Sequence, residues 1–141
     1  MIPKPKKKRS LTSYKNELNE LFSLYVRLEK ADPDGWVECY TCGKKKHYKE
    51  MQCGHFVPGR TLGILWETTN ARPQCKACNV FLHGNLIEYY PKMQKEIGQE
   101  EIDRLKRLRK LPVKLSREWY ETMIDTYDGY VSRRKSELGL N

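Results

Sequence analysis

A chain of 141 residues with 38% hydrophobic and 11% aromatic residues is long enough for one domain with a real core and too apolar for disorder throughout. Its 27 Lys plus Arg against 18 Asp plus Glu leave a net charge of +9, which points to a polyanionic partner, nucleic acid being the commonest. The longest uncharged run, Ala77 to Ile87, has 11 residues, well short of the roughly 18 that a spanning helix needs. No apolar segment follows the basic run Lys4 to Arg9, so no secretion signal is read and the expected compartment is the cytoplasm.

Residues 1–9, MIPKPKKKR, hold five basic residues, two prolines and no acid; they read as a mobile basic arm able to track phosphates, or as a solvated tail. Over 10–31, Leu11, Tyr14, Leu18, Leu21, Tyr25 and Leu28 recur at spacings of three and four, which predicts a helix whose stripe faces the core. Asp32-Pro33-Asp34-Gly35 stops it. Over 32–90 the composition shifts to Gly, Cys, His and Asn without helical periodicity, as expected of short strands and loops around metal. Residues 36–40 and 50–57 are expected to form a hairpin, and Asn79 to Tyr89 the one helix of this region. Over 91–141 the pattern is helical again, interrupted at Gly98. Ile102, Leu105 and Leu108 share one face of the basic segment Arg104 to Lys110, which stops at Leu111-Pro112. Ser116 is the predicted N-cap of a last helix that turns Trp119, Tyr120, Met123, Tyr127 and Tyr130 to the core and ends near Gly139. Trp36 and Trp66 are expected to cover the small metal core.

Four of the five cysteines form two pairs, Cys39-Tyr-Thr-Cys42 and Cys75-Lys-Ala-Cys78. Two tight turns presenting thiolates read as a closed tetrahedral structural zinc site, with Gly43 supporting the first turn. Disulfides are the alternative, and a reducing compartment disfavours them. Cys53, between the pairs, reads as a small buried apolar group.

What lies between and beside the pairs bears chemistry: Gly54-His55-Phe56, then Asn70, then Asn79 directly after Cys78. Phosphodiester hydrolysis needs a base near neutrality, for which imidazole suits, and a hard divalent cation, for which an amide oxygen is a fair ligand. Each residue also has a plainer reading. Asn70 and Asn79 serve equally as turn or cap residues, His47 as part of a solvated basic loop, and Arg60 and Arg72 as phosphate contacts or merely charges on a basic face.

Taken together, C..CG, GHF, N...QC..CN....GN and IGQEEID, spread over Cys39 to Leu105, resemble the HNH or ββα-metal nucleases built around a four-cysteine zinc knuckle, of the endonuclease VII type. The closer resemblance is to the NinG/Rap recombination proteins of lambdoid phages. The resemblance implies an α+β fold, a small zinc-stabilised core flanked by N- and C-terminal helices. It implies a metal-dependent DNA endonuclease acting on branched recombination intermediates, Holliday junctions or D-loops. His55 then corresponds to the general base, Asn70 to the central structural Asn and Asn79 to the final cation ligand, with Mg or Mn as the catalytic cation beside structural Zn. Many such sites carry Asp or His before the base, where this chain has Gly54, so the first cation ligand falls to His83, Asn85 or His55 itself, with Asn85 favoured. Arg60, Arg72, Arg104, Lys106 and Arg107 are the expected phosphate contacts, branched DNA and recombination proteins the expected partners, and a symmetric homodimer the expected assembly. A non-catalytic zinc-knuckle binding module and an HNH nuclease acting on linear duplex are the alternatives.

Overall fold

Ser10 opens the first helix: its hydroxyl accepts the N–H of Ser13 at 3.1 Å, and α1 runs Leu11–Leu28. The computed structural model describes residues 2–4, 8–59 and 61–140. After α1 come β1 (Trp36–Glu38), β2 (Lys45–His47), β3 (Gln52–His55), α2 (Leu62–Leu65), β4 (Ala71–Gln74), α3 (Leu86–Lys110) and α4 (Arg117–Leu138). Short 3-10 turns occupy Tyr48–Glu50 and Thr68–Asn70, and a π-type turn occupies Ala77–Phe81. The fold is α+β, two small sheets and a cysteine cluster flanked by helices. No helix of the described residues is long and apolar enough to cross a membrane.

The strands pair differently from the expected hairpin of 36–40 with 50–57. β1 pairs antiparallel with β2, and β3 with β4, in two separate two-stranded sheets. The turn that carries Cys39 and Cys42 reverses the chain at once, so β1 meets β2 across the shortest loop. In the second sheet Gln52 stands opposite Gln74, Cys53 opposite Pro73, Gly54 opposite Arg72 and His55 opposite Ala71.

The expected helix from Asn79 to Tyr89 is also replaced. The π-type turn ends, His83, Gly84 and Asn85 adopt positive φ, and α3 starts afresh at Leu86. It continues through Pro91, whose missing N–H in the second turn costs one main-chain bond, and kinks at Gly98 (φ 82°, ψ 161°). The last helix has the predicted ends, Ser116 accepting the N–H of Trp119 at 3.1 Å and Gly139 closing the C-terminus in the left-handed region, but its buried face is Tyr120, Ile124, Tyr127 and Val131; Trp119 and Met123 are half-buried and Tyr130 is exposed, because only one side of the helix meets α1.

Leu18, Phe22 and Val26 of α1 pack on Tyr120, Ile124 and Tyr127 of α4. The buried arc of α1 is therefore rotated from the predicted stripe, and Leu11 stays exposed, because both α4 and the second sheet press on this helix. Trp66 joins this helical core (7% exposed) and gives its indole N–H to Asn19 Oδ1 at 2.9 Å, whereas Trp36 is 47% exposed; neither covers the cysteines. That role falls to Leu28, Val37, Tyr48, Met51 and Val131. A third cluster joins Phe56 and Val57 to Tyr89, Met93, Ile102 and Leu105 of α3. Leu18→Ala is expected to lose about 2–5 kcal/mol of stability, because the void lies between two helices that cannot collapse onto it; chemical denaturation of the two proteins measures this.

Candidate functional site

Cys39 follows β1, Cys42 lies in the turn after it, Cys75 follows β4 and Cys78 sits in the π-type turn. Their four sulfurs lie within 4.8 Å of one another. Cys42 Sγ and Cys75 Sγ are 3.7 Å apart, and a tetrahedron of thiolates at a Zn–S distance of about 2.3 Å has edges of about 3.8 Å. Cys39, Cys75 and Cys78 are buried and Cys42 is exposed. Around them the Cys75 N–H donates to Cys39 Sγ at 3.3 Å and the Asn85 amide to Cys78 Sγ at 3.6 Å. Donor type, number, spacing and surrounding N–H groups fit zinc, with four protein ligands leaving no open position.

Burial opposes ionisation of Cys39, but hydrogen bonds from the Thr41 hydroxyl and neighbouring backbone N–H groups prevail and bring its thiol down to about 6. Cys42 is exposed as a residue, but desolvation of its sulfur and the thiols of Cys39, Cys75 and Cys78 beside it push it up to about 12. Zinc takes thiolates, so loading the site expels protons held by Cys42 and Cys75, both of which burial raises. Zinc affinity is accordingly expected to rise as pH increases and to fall in acid, which competition with a chromophoric chelator at several pH values would measure.

The second constellation lies across the β3–β4 sheet. Alternation along a strand sends Cys53 and His55 to one face, toward α1, and Gln52 and Gly54 to the other with their partners Gln74 and Arg72. The His55 ring stacks on Phe22 with centroids 6.2 Å apart, and its Nε2 lies 2.9 Å from the carbonyl of Leu65. A carbonyl only accepts, so in the neutral ring Nε2 carries the proton and Nδ1 the lone pair. A cleft of about 620 Å³ brings His55 and Cys53 together with Lys15 and Ser23 of α1, and with Asn79 and His83. The Asn79 amide donates to Gln52 Oε1 at 2.8 Å, which leaves Oδ1 as the end available to a cation. Asn70, 0% exposed, accepts the Val57 N–H on Oδ1 at 2.8 Å and donates to the Val57 carbonyl at 3.1 Å. It fixes the loop that follows His55 and reaches no solvent.

Of the other residues singled out in the sequence, Asn85 faces the sulfurs and does not line the cleft, while His83 does. Arg72 points to the opposite face. It pairs with Glu96 at 3.0 Å and donates to the carbonyls of Thr68 and Ala71, in a separate hollow of about 890 Å³. Arg104 bridges Glu67 (2.9 Å) and Glu101 (2.5 Å), and its hydrogen bond holds the Glu101 carboxyl down to about 2. Lys106 and Arg107 are exposed on α3, with Lys106 Nζ 5.5 Å from the Tyr90 ring centroid. Arg60 lies outside the described residues. Lys15, Ser23 and the Leu65 carbonyl carried no signal in the sequence, because a lysine on a helix and a backbone oxygen look like any other; Gln52 was visible beside Cys53 but its service to Asn79 was not.

Gly54 has a steric cause. A β-carbon there would collide with Gln74 Oε1, and Gln74, 0% exposed, cannot retreat without losing its bonds to Thr41 Oγ1 (3.1 Å) and the Gly84 carbonyl (2.9 Å). The place before the histidine is thus filled from across the sheet by an amide. Gly54→Ala is expected to destabilise the fold by about 1–3 kcal/mol through overpacking, read as a shift of the denaturation midpoint.

No curated protein and no solved structure matches the chain. The family model described as Bacteriophage Lambda NinG protein matches residues 3–137, from the basic segment before α1 almost to the end of α4 and through both cysteine pairs. A match over nearly the full length, on a chain whose four cysteines converge as a zinc knuckle requires, places this protein in the NinG family.

Proposed function

We propose that this protein is an HNH-type, metal-dependent DNA endonuclease that cuts branched recombination intermediates, four-way junctions foremost. The observation that carries this reading is the cleft in which a histidine with a fixed tautomer shares its walls with an amide oxygen and a second imidazole. His55 takes a proton from water through Nδ1 while Nε2–H holds to Leu65, so the ring stays oriented as it becomes imidazolium. Asn79 Oδ1 and His83 would hold a divalent cation, Mn²⁺ or Mg²⁺; when bound, that ion supplies positive charge against the scissile phosphate and the departing oxygen. Lys15 adds a fixed positive charge to the same wall and suits a phosphate oxygen. The four-sulfur site does no chemistry in this scheme. It holds zinc and the turn that bears Asn79.

The branched substrate rests on membership of the NinG family and on the sequence likeness to lambdoid recombination proteins. Such a substrate asks for phosphate contact more than base reading, which the net charge of +9 supports. The two-fold symmetry of a junction suits a symmetric pair of subunits.

Purified protein with Mn²⁺ or Mg²⁺ is expected to nick a labelled four-way junction in preference to a linear duplex. His55→Ala should lower that rate by about 10²-fold or more while leaving junction binding and the thermal melt intact. Undiminished cleavage by His55→Ala would remove the base and leave a zinc-folded DNA-binding module. Equal cutting of both substrates would keep the nuclease and discard the branch preference.

A further inference from the structure

His83, Gly84 and Asn85 adopt φ of 50°, 93° and 48° in succession. For residues with a β-carbon the left-handed region is disfavoured, so a run of three persists only where surrounding bonds hold it. The main chain supplies part of the hold: Gly84 N–H donates to the Cys78 carbonyl and Asn85 N–H to the Leu82 carbonyl, both at 2.9 Å. Two side chains supply the rest. Gln74 Nε2 donates to the Gly84 carbonyl at 2.9 Å and to Thr41 Oγ1 at 3.1 Å, and that hydroxyl stands 3.5 Å from Cys39 Sγ. Asn85 Nδ2 donates to Cys78 Sγ at 3.6 Å.

The left-handed segment is therefore tied at two points to two of the four sulfurs, and its first residue is the imidazole that lines the cleft. Gln74 Oε1 is buried without a partner. An amide half satisfied in the interior is costly, and here its two N–H bonds span the gap between the first cysteine turn and the strained segment.

We infer that Gln74 and Asn85 are positioning residues that hold His83 in the cleft and tie the divalent-cation site to the zinc site; this rests on the reading of Asn79 and His83 as cation ligands. Asn85 suits its place doubly, since asparagine tolerates the left-handed region and its amide reaches the sulfur. Of the thiolates that zinc would gather, Cys78 accepts from Asn85 directly and Cys39 stands beside the Thr41 hydroxyl to which Gln74 donates, so the segment is held best when the sulfur site is filled.

Asn85→Gly keeps the backbone conformation free of strain and deletes only the amide, and Gln74→Met keeps length and volume while deleting both N–H donors. In both variants zinc content by elemental analysis is expected to stay at one equivalent. The Kd for Mn²⁺, read from the electron paramagnetic resonance signal of the free ion, should rise about tenfold. Exchange of the Gly84 amide hydrogen should quicken. Combining Asn85→Gly with His83→Ala should weaken Mn²⁺ binding no further than His83→Ala alone, since both act through one ligand. Wild-type protein that binds Mn²⁺ with variants that bind it equally well would overturn the inference and leave the cleft assignment standing. Absence of Mn²⁺ binding by the wild type would overturn both. Should Asn85→Gly lose zinc, Gln74→Met, which touches no sulfur, decides.

Discussion

Four sulfurs drawn within 4.8 Å of one another are the constraint on which the rest depends. As thiolates they repel, and as thiols in a buried place they hold little together; a cation among them turns the repulsion into the strongest tie in the region. What it ties is informative. One turn follows β1, the other follows β4 and continues into the π-type turn, so a single ion would clamp the first sheet, the second sheet and the start of the Asn79 segment. Strands of three and four residues in two-stranded sheets are marginal alone, and here they lie on that clamp.

The helices do a different task. α1 and α4 form an aromatic-rich platform, with Tyr127 edge-on to both Phe22 and Tyr25, and Phe22 also stacks on the His55 ring. The imidazole thus stands between a rigid helical wall and the Leu65 carbonyl, held by contacts that owe nothing to the sulfurs. His55 and the pair Asn79 and His83 are supported from opposite directions, the first by helices and the others by the cysteine turns. They meet only at the cleft, and the β3–β4 sheet is the part common to both supports.

Parity along β3 and β4 decides which residues take part. Cys53 and His55 reach the α1 face, and one residue away Gly54 and its partner Arg72 belong to the other. That other face is crowded: Gln74 fills the space above Gly54, and Arg72 is taken up by Glu96. A carboxylate or imidazole at position 54 has no room there, and the side chain that reaches the cleft from beyond the sheet is His83, in the segment after the π-type turn.

Much of this chain was legible from the residues because the signals were local. Two CxxC spacings imply a four-thiolate site whatever surrounds them, Ser10 and Ser116 cap helices through their own backbones, and GHF with CN implies a histidine and an asparagine beside the knuckle. Strand pairing was not legible, since 36–40 and 50–57 are equally good strands and only the tight cysteine turn chose their partners. Nor was the choice between His83 and Asn85, which are two residues apart in a segment whose three positive φ angles send one side chain to the cleft and the other to sulfur. The phosphate candidates show the same limit: Arg72 and Arg104 look identical to Lys106 and Arg107 in a string of letters, yet Glu96 and Glu67, distant in the chain, neutralise the first two, with Glu101 one turn away on α3 adding to the hold on Arg104. Residue type and spacing determine which groups can do the chemistry; which of them face one another depends on rotation about the backbone and on distant partners, and that only the packed chain decides.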